Sequence, residues 1–296
     1  MHILVPLDGS PLAELALITA AETAQRLPMP TTITLLRVID YPAADLRLEA
    51  LNPLASGPII IEAVLEAAHD YLRAVSRLPS LAECVVQQVV MVGTPASTII
   101  EQAQVHSADL IIMTTHGRTG VLFRALGGIV EGVLRHTTVP VLLVREHHTA
   151  LTPTHHALQI LVPVDASELA ERAIMAAVPL ARALGGKLLL LRVLPPEPHP
   201  IKRDLAQHHA RTQLAQWDAA LAQQHVPVQH IVLFGEVQAQ IAAAAQAHHA
   251  TLIAIATHGR TGVDRLLHGS ITETLTHHTM LPILVVHAVE SASLAK

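Results

Sequence analysis

The sequence predicts an α/β protein built from two tandem copies of one domain, each a parallel sheet of five strands covered by helices on both faces. Three observations carry this. Hydrophobic residues make up 51% of the 296 positions and charged residues 15%, ample material for buried cores. The hexapeptide THGRTG occurs at 115–120 and again at 257–262, inside stretches 108–144 and 250–286 that align without a gap and share 18 of 37 positions. Short β-branched runs alternate with longer stretches of helical periodicity, the pattern of βαβ units.

In the first copy, apolar runs place strands at 3–7, 32–38, 85–92, 110–114 and 141–144. Helices are expected at 11–27, 59–77, 95–105 and 129–136. Two helix starts carry local signatures: Ser10 before Pro11, and Thr94 before Pro95, each a hydroxyl N-cap with proline at the first helical position. The second copy repeats the order, with strands near 159–164, 187–193, 228–233, 252–255 and 283–286. Matching segments extend the repeat to its start, ILVPLDGSPLAELAL against ILVPVDASELAERAI, and to TLLRVID against LLLRVLP. From Asp8 to Gly117 is 109 residues and from Asp165 to Gly259 is 94, so the first copy carries 15 more (109 − 94). That excess falls between about Tyr41 and Leu78. The polar, histidine-rich stretch REHHTALTPTHHA reads as a linker, giving domains at 1–146 and 157–290.

Composition excludes several function classes. No apolar stretch approaches the roughly 18 residues that span a bilayer. The start, MHILVPLDGS, has no basic region or cleavage site of an export signal. The single cysteine, Cys84, cannot form an intrachain disulfide and fits a reducing cytoplasm. A net charge of −5 and five scattered aromatics argue against nucleic acid. Histidine is over-represented at 21 copies, so full protonation would carry the formal charge from −5 to +16 (−5 + 21). Adjacent histidines such as His208 and His209 do not share a helix face, and HExxH is absent, so these read as solvated surface groups and no metal site is expected.

In such sheets, ligands sit at the carboxyl ends of strands where strand order reverses. Asp8 and Asp165 follow the first strand of each copy, and THGRTG follows the fourth, so both segments are expected at one sheet edge. In the second copy, Gly259 permits a tight turn, and Gly269 with Ser270 opens the last helix. Amides at a helix N-terminus can hold phosphate oxygens. Ser270 to Glu273 also forms a capping box, so local chemistry alone supports a phosphate site and a plain helix cap equally. Walker and GxGxxG patterns are absent. Arg118 and Arg260 are candidates to pair with phosphate or to stay solvated. His116 and His258 have no nucleophile beside them and read as loop-structuring residues.

The aspartate after the first strand, the THGRTG turn, a Gly-Ser about ten residues later and the final PILVV strand together resemble the universal stress protein family. The likeness covers both copies. It implies a Rossmann-like five-stranded sheet in each. It also implies, for some members, ATP held through the pattern G-x2-G-x9-G-[ST]. Carried over by position, the second copy supplies Ala256, Gly259, Gly269 and Ser270, with Asp165 at the ribose or phosphates and Val193 meeting adenine through its backbone. The first supplies Thr114, Gly117, Gly127 and Gly128, with Asp8 and Val38 in the matching places. Both depart at the first glycine, and only the second keeps the terminal hydroxyl. The second site is therefore expected to be the better preserved.

The resulting expectation is a cytoplasmic regulatory protein of the stress response that binds an adenine nucleotide, ATP with or without Mg, and is not primarily an enzyme. Two alternatives stand beside it: a nucleotide-independent interaction module and a slow ATP hydrolase. Neither nucleic acid nor membrane is an expected partner. The short apolar final strands, 141–144 and 283–286, suggest that the copies pair as an intramolecular pseudo-dimer, with a homodimer of the whole chain also open.

Overall fold

The computed structural model describes residues 1–27, 29–40, 57–115, 127–145, 157–165, 167–258 and 281–288. Ten strands and eight α-helices alternate along them. In the first repeat these are β1 (His2–Leu7), α1 (Pro11–Arg26), β2 (Thr32–Ile39), α2 (Gly57–Val75), β3 (Val85–Val92), α3 (Pro95–Val105), β4 (Leu110–Thr114), α4 (Gly128–His136) and β5 (Val141–Val144). The second repeat follows with β6 (Gln159–Pro163), α5 (Glu168–Ala183), β7 (Lys187–Leu194), α6 (Pro200–Ala215), α7 (Asp218–Gln223), β8 (Val228–Phe234), α8 (Val237–Ala247), β9 (Leu252–His258) and β10 (Ile283–Ala288).

Contacts divide the chain into two compact units, one holding β1 to β4 with α1 to α4, the other holding β5 to β10 with α5 to α8. In the first unit the strand order is β3-β2-β1-β4, with each neighbouring pair parallel. The chain moves outward from β1 through β2 to β3, then returns to place β4 on the other side of β1. Strand order thus reverses beside β1, the arrangement that opens a crevice at the strand ends. The second unit repeats this with β8-β7-β6-β9-β10, all parallel. Within the same unit β5 adds an antiparallel partner to β10, with Leu142 opposite Leu284. The sequence repeat therefore breaks after β5, and the compact division before it.

Burial explains why these runs are strands. Ile3, Leu4 and Val5 are wholly buried, as are Leu188 to Leu191, because helices cover both faces of the central strands. The helices close over them with apolar residues: Ala16, Leu17 and Ala20 of α1, and Ala173, Ile174 and Ala177 of α5, are buried at helical spacing. Ser10 caps α1 as its sequence position implies, its side chain accepting from the Ala13 amide. Thr94 occupies the N-cap of α3 but its hydroxyl makes no capping hydrogen bond. At the matching place in the second repeat, Glu236 caps α8 by accepting from the amides of Gln238 and Ala239.

Candidate functional site

A cleft of about 460 Å³ opens at the carboxyl ends of the first unit's strands. That size suits a small organic ligand. Asp8 enters it from the end of β1, Val38 from β2, Thr114 from β4, and Gly127 with Gly128 from the start of α4. These five residues, separated by as many as 120 positions (128 − 8), thus line one cavity. Gly117 lies outside the described residues. The walls are mainly apolar, including Leu36, Val64, Ile99, Met113 and Ile129, while Asp8, Arg37 and Asp40 supply its charge.

Local chemistry holds Asp8 in place. Its Oδ1 accepts from the Ser10 amide at 2.9 Å and from the Ser10 hydroxyl, while that hydroxyl accepts from the Ala13 amide at 3.1 Å. The aspartate, the turn and the helix start are therefore one hydrogen-bonded unit. Gly9 between them has φ +80, a conformation that side-chain-bearing residues rarely adopt. Beside this turn, Arg37 donates to the Leu7 carbonyl at 3.1 Å. Its guanidinium also stands 6.0 Å from the Tyr71 ring centroid, and the Tyr71 hydroxyl donates to Glu14 at 3.0 Å. Burial, and then the neighbouring Glu14 carboxylate, push the Tyr71 pKa well above its ordinary value, so the phenol stays a donor.

At the other wall, Gly127 donates its amide to the Thr115 carbonyl at 3.1 Å, which ties the start of α4 to the end of β4. Gly127 is the N-cap of α4 and has no side chain to cap with. The first amides of a helix have no intrahelical acceptor, and they carry the positive end of its dipole. A Cβ built on Gly128 meets nothing within 4 Å, so the glycine leaves open space there. Thr114 is buried and lines the cleft together with that helix start.

The second unit repeats the aspartate turn. Asp165 Oδ1 accepts from the Ser167 amide at 3.0 Å and from the Ser167 hydroxyl, and Ser167 in turn accepts from the Ala170 amide at 3.3 Å. Partial burial works against the charged carboxylate, but these hydrogen bonds and the charge of Arg192 outweigh it and hold Asp165 below the ordinary carboxylate range. Val193 lies on β7 and Ala256 on β9, strands that flank β6, whose end leads into Asp165. Gly259, Gly269 and Ser270 lie outside the described residues, as do His116, Arg118 and Arg260.

Sequence reasoning passed over Arg37 and its counterpart. Arg192 donates to the Val164 carbonyl at 3.1 Å, the same contact in the second repeat. The signal was present in the shared LLRV of TLLRVID and LLLRVLP. Among the described residues, no group of three or more His, Cys, Asp or Glu side chains could hold a metal ion, and no helix is long and apolar enough to cross a membrane. None of the described histidine side chains is fully buried.

Comparison with known proteins follows the repeat. A family model described as "Universal stress protein family" matches residues 1–145 and again 158–287. A universal stress protein of Mycobacterium tuberculosis is 26% identical over 302 residues, covering 96% of each chain. One from Methanocaldococcus jannaschii is 29% identical over 145 residues, 49% of this chain and 81% of its own. The crystal structure of a universal stress protein from Archaeoglobus fulgidus shares the fold, with a TM-score of 0.72 at 22% identity over 97% of this chain and 98% of that one.

Proposed function

This chain belongs to the universal stress protein family, in tandem form, and we propose that it binds an adenine nucleotide as a regulatory ligand in the stress response rather than turning it over. The observation that carries the reading is the meeting of Asp8, Val38, Thr114, Gly127 and Gly128 in one cleft at the strand-order reversal. Its apolar walls suit a base, the Asp8 carboxylate suits hydroxyl donors, and the start of α4 suits phosphate. The residues present thus fit a nucleotide, ATP with or without Mg, while supplying no cluster that would hold a resident metal among the described residues. A cytoplasmic setting belongs to the same proposal and draws on the lone, partly buried Cys84.

The second repeat is proposed as the tighter site, because Gly269 and Ser270 retain the terminal hydroxyl that Gly127 and Gly128 lack. Calorimetric titration of the intact protein with ATP tests both claims. One tight site is expected, weakened more by Gly269→Val than by Gly127→Val. Equal losses would overturn the asymmetry. The absence of any heat or saturation with folded protein would overturn nucleotide binding itself. That result would favour a nucleotide-independent interaction module, a reading supported by a branched residue, the buried Thr114, where the family pattern has glycine.

A further inference from the structure

Strand β3 is the terminal strand of the first unit and pairs in parallel with β2 along its whole length, from Val85 opposite Thr32 to Val92 opposite Ile39. No pairing to its other side occurs among the described residues. An edge of this kind presents alternate backbone N–H and C=O groups in a row, a template for another strand. Natural edges are usually blunted by charge, proline or a bulge. The sequence here, VVQQVVMV, has no charge, proline or glycine. Its two end residues are exposed valines, Val85 at 61% and Val92 at 39%.

The corresponding edge of the second unit is treated differently. There β8 carries His230, whose ring is 2.8 Å from the Asp218 carboxylate, and the Arg203 guanidinium lies 4.7 Å from the ring of Phe234 at the strand's end. Titratable groups thus stand on and against β8, whereas β3 has none within it.

We propose that β3 is a self-association edge, pairing antiparallel with β3 of a second copy of this chain about a two-fold axis through Gln88. A backbone edge unpaired among the described residues calls for a strand as occupant, and the apolar ends of β3 fit their own reverse. A two-fold perpendicular to the sheet keeps each residue on its own face, and opposed residues must share a face. Centring on Gln88 satisfies this and sets Val86 opposite Val90 on one face, and Val85 opposite Met91 with Gln87 opposite Val89 on the other. Apolar cross-strand pairs such as Val86–Val90 and Val85–Met91 stabilise antiparallel ladders. Gln88, whose Nε2 donates to the Ser76 hydroxyl at 2.8 Å, then faces its own copy, and two neutral side chains meet there without charge repulsion. Both copies use up the same edge, so the assembly closes at two.

Sedimentation velocity on the full chain tests the register. The unmodified protein is expected to be dimeric at tens of micromolar. Gln88→Lys and Gln88→Glu should each weaken the dimer by roughly tenfold or more, because like charges then meet across the axis. An equimolar mixture of the two variants should dimerise again. Gln88 is exposed, so circular dichroism and the urea midpoint should show both variants folded. A monomeric parent, growth into open-ended aggregates, dimers that persist in both folded variants, or a mixture that stays monomeric would each overturn the proposal.

Discussion

The Arg37 guanidinium donates to the carbonyl oxygen of Leu7 at 3.1 Å, and Arg192 makes the same contact with Val164. In the first unit, the β-ladder sets Arg37 directly opposite Leu7, so the arginine needs only to fold back onto its neighbour strand. The consequence is local and electrostatic. The last carbonyl before each candidate aspartate is fixed, and a positive charge is held near the carboxylate that follows.

Removing that contact should therefore have two separable effects. Arg37→Met is expected to destabilise the protein by about 1–2 kcal/mol, the range for a charged hydrogen bond that is only partly buried. Urea unfolding measures this. Arg192→Met should in addition raise the Asp165 pKa, since the Arg192 charge is one of the influences holding it low. A depressed carboxylate contributes stability that is present above its unfolded value near 3.8 and is lost as pH falls through the lower folded value. The variant should lose part of that contribution, seen by NMR titration of the carboxyl. An unchanged Asp165 titration would show that the charge does not act there.

The extent to which the fold was legible depended on how local each determinant is. The bounds of β3, α3, β4 and β5 agree with the sequence reading because proline, serine or threonine, and β-branched runs mark their ends. β9 runs on to His258, past the expected 255, because its ladder with β10 continues through Ala256 opposite Val286 and His258 opposite Ala288. That extension is set by a neighbour strand and leaves no local trace. The same holds for the site. The aspartates and glycines announce themselves by pattern, but the arginine-to-carbonyl contacts depend on register, which only the paired strands reveal. The antiparallel pairing of β5 with β10 is likewise a long-range fact, although both strands were recognisable as short and apolar.

Packing beside the cleft gives a test in which two effects of opposite sign compete. Gly132 lies within α4, where alanine would normally gain about 0.5–1 kcal/mol in helix preference. A Cβ at that position would stand 2.8 Å from the Ala96 Cβ of α3, which has no flexible end to move aside. Overpacking of this kind costs about 1–3 kcal/mol. Gly132→Ala is therefore expected to lower the urea midpoint despite its better propensity. A variant at least as stable as the parent would show that α3 and α4 slide apart freely.

At the opposite end of the sheet, His2 predicts a pH dependence. Its Nε2 is 2.6 Å from the Thr34 hydroxyl, its ring is 5.5 Å from that of His106, and its backbone amide donates to Asp109. Burial, then the His106 charge, lower its pKa below the ordinary 6.5, with Asp109 partly opposing and the N-terminal amine adding to the fall. The unfolded chain then binds this proton more readily than the fold does. Its contribution to stability is complete above about pH 6.5 and declines as pH falls toward the lower folded value. His2→Gln, which can keep a hydrogen bond to Thr34, should flatten the fall in stability between about pH 6.5 and 5. If the variant and parent curves run parallel across that window, the imidazole does not titrate differently on unfolding.

The final test asks whether the first unit's cleft is a weakened nucleotide site. Gly128 stands where the second repeat has Ser270, so the first site keeps the helix amide and lacks the hydroxyl. Space is available for the missing group, because a Cβ at Gly128 meets no atom within 4 Å. Serine also suits the first turn of a helix, so Gly128→Ser should leave the fold intact. A hydroxyl donating to a charged phosphate oxygen is worth about 1.5–3 kcal/mol, roughly ten- to a hundredfold in affinity. Calorimetry should therefore show a second, tighter ATP site in Gly128→Ser, with little change for adenosine, which has no phosphate to meet the hydroxyl. Equal gains for ATP and adenosine would place the new contact away from phosphate. Unchanged ATP binding in the folded variant would show that the start of α4 is not where the phosphates lie.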